Sequence, residues 1–419
     1  MIDTREELVI ALSEAAEVEH GLLVQYLFAA FSIERRDIPE LSPSQQISIA
    51  RWQKIILDVA RQEMDHLAKV CNLLASIGGA PQFSRPNFPQ DNASYFPLGT
   101  GTDRYKRYPF DFELEEFNDC SLYRFIISEL PQGGDHPELP DPSCSDLSKV
   151  SSFSPDPIVY NNVGELYRLI ELGFIILVGK FGEQNLFIGG TRNQDIKLGA
   201  VTNLDTAREI INAIIIEGEN AENDNLESHY EKFVRVRGEF SAELKKSPGF
   251  KPTKNLVKNP QTRHNSDSQG NVTLILHPVT KKLAELFNDV YNTMLSTMIQ
   301  YYSVAGETEG QREALKTISH GIMSTMLRPI AEILTEMPVT EEDNTKKAGP
   351  CFEIYKPIRL SSDVESRWIF LKERVEQEAL LCESLLSSTT QFPCLRRLVN
   401  VYDNLQYTLL NLESVFDPQ

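Results

Sequence analysis

The chain has 419 residues, 41% of them hydrophobic, and its 41 basic and 60 acidic residues give a net charge of -19. That length and apolar content allow one large core or two closely packed domains, while the negative balance repels phosphate backbones and anionic membranes and so excludes nucleic acid and lipid surfaces as expected partners. The six cysteines (Cys71, Cys120, Cys144, Cys351, Cys382 and Cys394) show no CxxC and no metal-ligand spacing. They read as reduced thiols, and the acidic N-terminus, with no apolar run of membrane-spanning length, predicts a cytoplasmic protein.

Thr4 and Glu7 make a capping box that starts a helix running to about Ile33. Its apolar stripe is Leu8, Leu12, Ala15, Glu19, Leu22, Tyr26 and Ala30, so one carboxylate interrupts an inward face. Glu17 and His20 also have Glu-x-x-His spacing, but Glu17 lies off the stripe and is expected in solvent. Tyr26, one heptad beyond Glu19, reads as core packing.

A second helix begins near Ser44 and stops at Gly78-Gly79-Ala80-Pro81. Ile49, Trp52, Ile56, Val59, Glu63, His66, Val70, Leu73 and Ile77 share one of its faces, which places Glu63 and His66 inward. A buried carboxylate is costly unless it is paired or holds a metal. Arg61 or Arg168 could supply an ordinary ion pair. The alternative is a chelate, because one helical turn brings a Glu oxygen and a His nitrogen to a single ion.

From Pro81 to about Asp156 the chain is rich in Pro, Gly and aromatic residues, with one short helix expected around Glu113 to Asn118. This stretch is expected to pack over one end of a bundle. A third helix, Val163 to about Phe181, is apolar on nearly all sides, is therefore expected to be central, and carries Glu165 and Glu171. A fourth starts near Asp205, passes Glu217 and Glu219 and, after a polar break, resumes at LESHYEKFVRV with His229. Periodicity favours Glu217 as the inward residue. Four further helical patterns follow: Val279 to Val304, Arg312 to Thr335, Ser361 to Ser388 and Cys394 to Phe416. His277 and His320 read as structural or surface residues, and His136 and His264 as loop residues.

The expected fold is therefore all-α. Residues 1–250 form a four-helix bundle with an insertion at about 81–156, residues 251–272 a loop, and residues 273–419 a C-terminal helical region packed on the bundle. The inward inventory is Glu19, Glu63, His66, Glu165 or Glu171, Glu217 or Glu219, and His229. It matches the di-metal pattern of a Glu from each of two helices and a Glu with a His from each of the other two. The departure is His229, which lies well beyond one turn from Glu219. Carboxylates with a few imidazoles suit iron or manganese.

The segments EVEHGLLVQYL, RQEMDHLAKVCNLLASIGGAP, VGELYRLIELG, IIIEGEN and ESHYEKF resemble the successive motifs of the ferritin-like domain found in iminophenylpyruvate dimer synthases of violacein- and rebeccamycin-type pathways. The resemblance covers about Glu6 to Val236 and continues weakly through LFNDVYNTMLSTM, STMLRPIAEILTEMP and AGPCFEIY. The long extra region of the full synthases has no counterpart among these residues, and Asn220 stands where the family often has Gly. The resemblance implies a metal-ligand set of Glu19, Glu63, His66, Glu165, Glu219 and His229, with Glu63 and His66 acting catalytically through the metal.

The expected activity is that of an O2-dependent, non-haem di-metal oxidase or oxygenase of specialised metabolism. Its cofactor would be two iron ions, or manganese or a mixed Fe/Mn pair, and its substrate a small organic, amino-acid-derived molecule that is desaturated, hydroxylated, N-oxygenated or coupled. Homodimerisation is the ordinary expectation. The competing expectation is a metal-free, vestigial ferritin-like scaffold serving a partner enzyme.

Overall fold

The computed structural model describes residues 2–34, 39, 41–90, 112–131, 160, 162–219, 227–263, 272–303, 305–356 and 358–416. Contacts divide the chain into two units, residues 1–82 with 90–253, and residues 83–89 with 254–419. Both are helical, and the strand pairing among the described residues is confined to short pieces such as β1 (Pro260–Gln261) beside β2 (Thr273–Leu274).

The first unit is built on α1 (Arg5–Ser32) and α2 (Pro43–Ser76). The Thr4 hydroxyl accepts the Glu7 N–H while the Glu7 carboxylate accepts the Thr4 N–H, so the expected capping box starts α1. Ser42 and Gln45 do the same for α2, with Pro43 at the position where its missing N–H is not needed. Gly78, at φ 80°, lets the chain turn after α2. Every stripe residue expected on these two helices is buried, Glu19, Glu63 and His66 among them.

α4 (Val163–Phe181) packs on α1 and on α6 (Leu204–Gly218), with the single turn α5 (Glu183–Leu186) between them in sequence. α4 buries Leu166, Tyr167, Ile170, Phe174 and Leu177, but Leu172, Ile175 and Phe181 are exposed. Its all-round apolarity therefore does not make it central. α7 (His229–Lys246) begins after residues outside the description and packs against α2 and α3 (Asp119–Ser128).

α3 lies later than the helix expected around Glu113 to Asn118, which is not helical. Asn118 is the N-cap, its side chain accepting the Ser121 N–H at 2.8 Å, and Arg124 ties the new helix back to Glu113 and Glu115. Tyr26, Phe125 and Phe233 then pack ring against ring to join α1, α3 and α7. Most of the aromatic-rich stretch expected to cover one end of the bundle, and Asn220, His136, Cys144 and His264, lie outside the described residues.

Cys71, Cys351, Cys382 and Cys394 carry free thiols. Cys120 is disulfide-bonded, so the reading of all six as reduced thiols fails there. No helix among the described residues is long and apolar enough to cross a membrane.

The second unit centres on α8 (Pro278–Tyr302), which α9 (Glu309–Gly321), α10 (Arg328–Leu334) and α11 (Val364–Leu386) flank; α12 (Leu398–Phe416) packs on α11. His277 is the buried N-cap of α8, a structural role, and His320 is exposed. The expected single helix from Arg312 to Thr335 is interrupted by a π-helical stretch, Ile322–Leu327, just before Pro329, whose ring lacks the N–H a regular helix would use.

Candidate metal centre

The carboxylate of Glu63 lies at the middle of a buried cluster drawn from α1, α2, α7 and the end of α3. Its Oε2 is 3.0 Å from His66 Nδ1 and its Oε1 is 2.7 Å from His229 Nδ1. The two imidazoles face each other across it, ring centroids 5.5 Å apart. Two further carboxylates close the ends. Glu19 Oε2 lies 3.6 Å from His66 Nδ1, and Glu129 Oε2 lies 3.6 Å from His229 Nδ1. All five residues are buried.

The two ends are built alike. Tyr167 donates its hydroxyl hydrogen to Glu19 Oε1 at 2.5 Å, and Tyr26 does the same to Glu129 Oε1 at 2.5 Å. Each tyrosine holds one oxygen of a terminal carboxylate and leaves the other aimed at an imidazole. Burial, with the nearby carboxylates, pushes both tyrosine hydroxyls well above their ordinary value, so they stay protonated donors. The far nitrogens of the imidazoles also have partners. His66 Nε2 faces Glu217 Oε2 at 2.9 Å, and His229 Nε2 faces Gln62 Oε1 at 3.3 Å.

The protonation states follow from this packing. Burial and then the Glu63 charge push the Glu19 carboxyl up to about 8, and the same two causes raise Glu129. Burial also opposes the Glu63 anion, but His229 and His66 outweigh it and hold Glu63 well below the carboxylate range. Burial opposes both imidazolium ions as well; Glu63 overcomes it, lifting His229 to about 9 and His66 well above its ordinary value. Without a cation, then, one central anion sits between two imidazolium rings, and burial beside that anion disfavours charge on both outer carboxyls, Glu19 keeping its proton up to about 8.

The donor set fits a pair of divalent ions. Glu63 Oε1 and His229 Nδ1 are 2.7 Å apart, yet their geometry is not that of a hydrogen bond, and both atoms are buried without such a partner among the described residues. Two buried polar atoms aimed into the same space, paired by charge but with no hydrogen bond between them, are what a shared ion would satisfy. Two groups of three could each hold one ion: Glu19, Glu63 and His66, and Glu63, Glu129 and His229. Glu63 belongs to both. Oxygen-rich sets with one imidazole each suit iron or manganese.

Of the residues singled out in the sequence, Glu19, Glu63, His66 and His229 meet here, and Glu165 and Glu219 do not join either group among the described residues. Glu165 sits half-buried in the first turn of α4, where the hydroxyl of Tyr167 reaches Glu19 instead. The Glu219 carboxylate turns to the start of α4 and accepts the Gly164 N–H at 2.7 Å. Nor do the alternatives take their places: Glu171 pairs with Arg208, and Glu217 backs His66. Tyr26 holds Glu129 as well as packing in the core. The off-stripe Glu17 is half-buried and accepts from Gln82 at 2.9 Å.

Glu129 was missed. With a helix at Asp119–Ser128 in place of Glu113 to Asn118, Leu122, Phe125 or Ile126, and Glu129 form a stripe interrupted by a carboxylate, the signal that marked Glu19 and Glu63.

Gly164 has room for no side chain, because a methyl group there would overlap the Glu219 carboxylate. Gly164→Ala should therefore unfold about 1–3 kcal/mol more easily in urea and still retain metal in its folded fraction. Metal loss from the folded fraction would return Glu219 to the ligand set.

A ferritin-like family model matches residues 12–238, more than half of the chain. The chain belongs to the ferritin-like family. Among curated proteins, this ferritin-like chain is 29% identical over 418 residues to dichlorochromopyrrolate synthase of Lentzea aerocolonigenes, covering 89% of the chain and 38% of that protein. It is 23% identical over 376 residues to 2-imino-3-(indol-3-yl)propanoate dimerase of Chromobacterium violaceum, covering 83% of the chain and 34% of that protein. It thus spans between a third and two fifths of the length of these two relatives, both of them enzymes by name. A crystal structure of a ferritin-like protein from Caulobacter vibrioides superposes with a TM-score of 0.49 at 18% identity, covering 76% of this chain and 94% of that one.

Proposed function

We propose that this chain is an O2-dependent di-metal oxidoreductase, with iron as the resident metal, acting on a small amino-acid-derived organic substrate. The observation that carries this reading is the Glu63 carboxylate shared between two imidazole nitrogens, with buried atoms left unsatisfied on both sides of the Glu63–His229 contact. Glu63 paired with an arginine, or His66 packed against aliphatics, would favour the metal-free scaffold. Glu63 has imidazole partners and His66 has carboxylate partners, which favours the metal reading. The substrate class rests on the printed names of the two relatives, one of which describes an imine of an indolyl amino acid.

His66 and His229 would hold one ion each, Glu63 would join them, and Glu19 and Glu129 would close the ends. Bound there, iron would supply the electron-transfer chemistry that O2 activation needs. The protein does the rest. Tyr167 and Tyr26 fix the outer carboxylates, burial excludes water from the ligand atoms, and the imidazoles must release their protons before they can bind metal.

The test is anaerobic reconstitution with ferrous iron, elemental analysis, and O2 uptake with imino acids generated from aromatic amino acids. About two ions per chain are expected, with uptake that depends on the added substrate. His66→Ala should lower the metal content and abolish uptake. Wild-type protein that retains no metal would overturn the proposal.

A further inference from the structure

We propose that the two metal positions are inequivalent and fill in order, the His66 position first, because an anion stands behind His66 and a neutral amide behind His229. This rests on the di-metal reading above and adds a functional role for Glu217 and Gln62.

The two inner sets have the same composition, and the difference that sets their affinities lies in the outer contacts. Each position has one imidazole presenting Nδ1, one oxygen of Glu63, and one terminal carboxylate whose other oxygen is held by a tyrosine at 2.5 Å. What differs lies behind the rings. His66 Nε2 donates to a carboxylate oxygen of Glu217 at 2.9 Å, and the other oxygen of Glu217 accepts from Lys69 at 3.3 Å, so Glu217 can remain an anion while serving both. His229 Nε2 faces Gln62 Oε1 at the longer distance of 3.3 Å, and that same oxygen accepts from the Lys232 ammonium at 2.9 Å. The Gln62 oxygen is therefore already engaged by a cation.

An imidazole that donates to a carboxylate gains negative character and becomes a better donor at its other nitrogen, and loss of such a partner typically weakens metal binding by about 10–100-fold. An amide oxygen already bonded to an ammonium gives little of this effect. With matched inner sets, the His66 position is the tighter one. Glu217 is thus a positioning residue that acts through His66.

Cobalt(II), titrated calorimetrically into metal-free protein at fixed pH, separates the two positions. Wild type should bind in two resolved steps. Glu217→Gln should weaken the tighter step by about 10–100-fold and merge the two. Gln62→Glu should tighten the weaker step, a gain that a merely structural role for these side chains would not produce. His229→Ala should leave one step at the tight wild-type affinity, which assigns that step to His66. Two equal steps in wild type, or a Glu217→Gln variant that weakens only the looser step or neither, would overturn the inference and leave the di-metal reading intact. Wild type that binds no metal, whether cobalt or iron, would overturn both.

Discussion

Glu63→Gln should empty both metal positions and, in the metal-free protein, remove about 3–5 kcal/mol of stability, the usual scale for breaking a buried ion pair. Glu63 is the one residue common to both candidate groups and the anion common to both imidazolium rings, so no other single substitution should affect both ions as strongly. The stability loss must depend on pH. His229 is raised from 6.5 to about 9, so its contribution is fully present below 6.5 and is lost as pH rises through 9. Glu63 is held below its ordinary 4.5, so its contribution is present above 4.5 and is lost as pH falls below its lowered value. The gap between wild type and variant should therefore be widest between about pH 4.5 and 6.5 and should shrink by pH 9.5. Urea unfolding of the two metal-free proteins at pH 5.5 and 9.5 checks this. An equal gap at both values would mean that the Glu63 contacts are not ionic.

Helical period alone located Glu19, Glu63 and His66, because α1 and α2 are long helices with one inward face each and a carboxylate is conspicuous on an apolar stripe. The same logic did not extend to Glu129, which closes a ten-residue helix inside an irregular stretch; a helix of that length yields too few stripe positions to fix its register once its start is misplaced. On α6, periodicity favoured Glu217 and the resemblance favoured Glu219, and each points to a real contact. Glu217 reaches His66 from the side, and Glu219 accepts the Gly164 N–H at the start of α4. Sequence spacing cannot tell an inner carboxylate from one standing behind an imidazole, since both lie on the inward side of the helix. That distinction needs the direction of the His66 ring, which the neighbouring helices set. The exposed face of α4 carries a related lesson, because an apolar sequence states what a surface could bury and its neighbours decide how much of it is covered.

In the second unit, Glu378→Gln should stabilise the protein at high pH by a few kcal/mol and leave it nearly unchanged at low pH. Glu378, on α11, is almost wholly buried against α8. Its Oε1 accepts the Thr293 hydroxyl hydrogen at 2.5 Å, and its Oε2 has no hydrogen-bond partner among the described residues. Burial is the main cause that pushes its carboxyl up to about 8; Thr293 and Arg374 pull it down, and Asp289 pushes it further up. The unfolded chain releases this proton near the ordinary 4.5, so the folded state holds the extra proton between about 4.5 and 8. Stability relative to the protonated form is thus intact below 4.5, falls as pH rises through that window, and stays at its lower value above 8. Glutamine imitates the protonated acid in shape and can still accept from Thr293. Its amide hydrogens meet the same unpartnered environment as the acid's O–H, so the substitution adds little new penalty. Urea unfolding of wild type and variant at pH 5 and pH 9 decides the matter: the variant should gain on wild type only at the higher pH. A constant difference across that range would show that Glu378 is not the group that titrates.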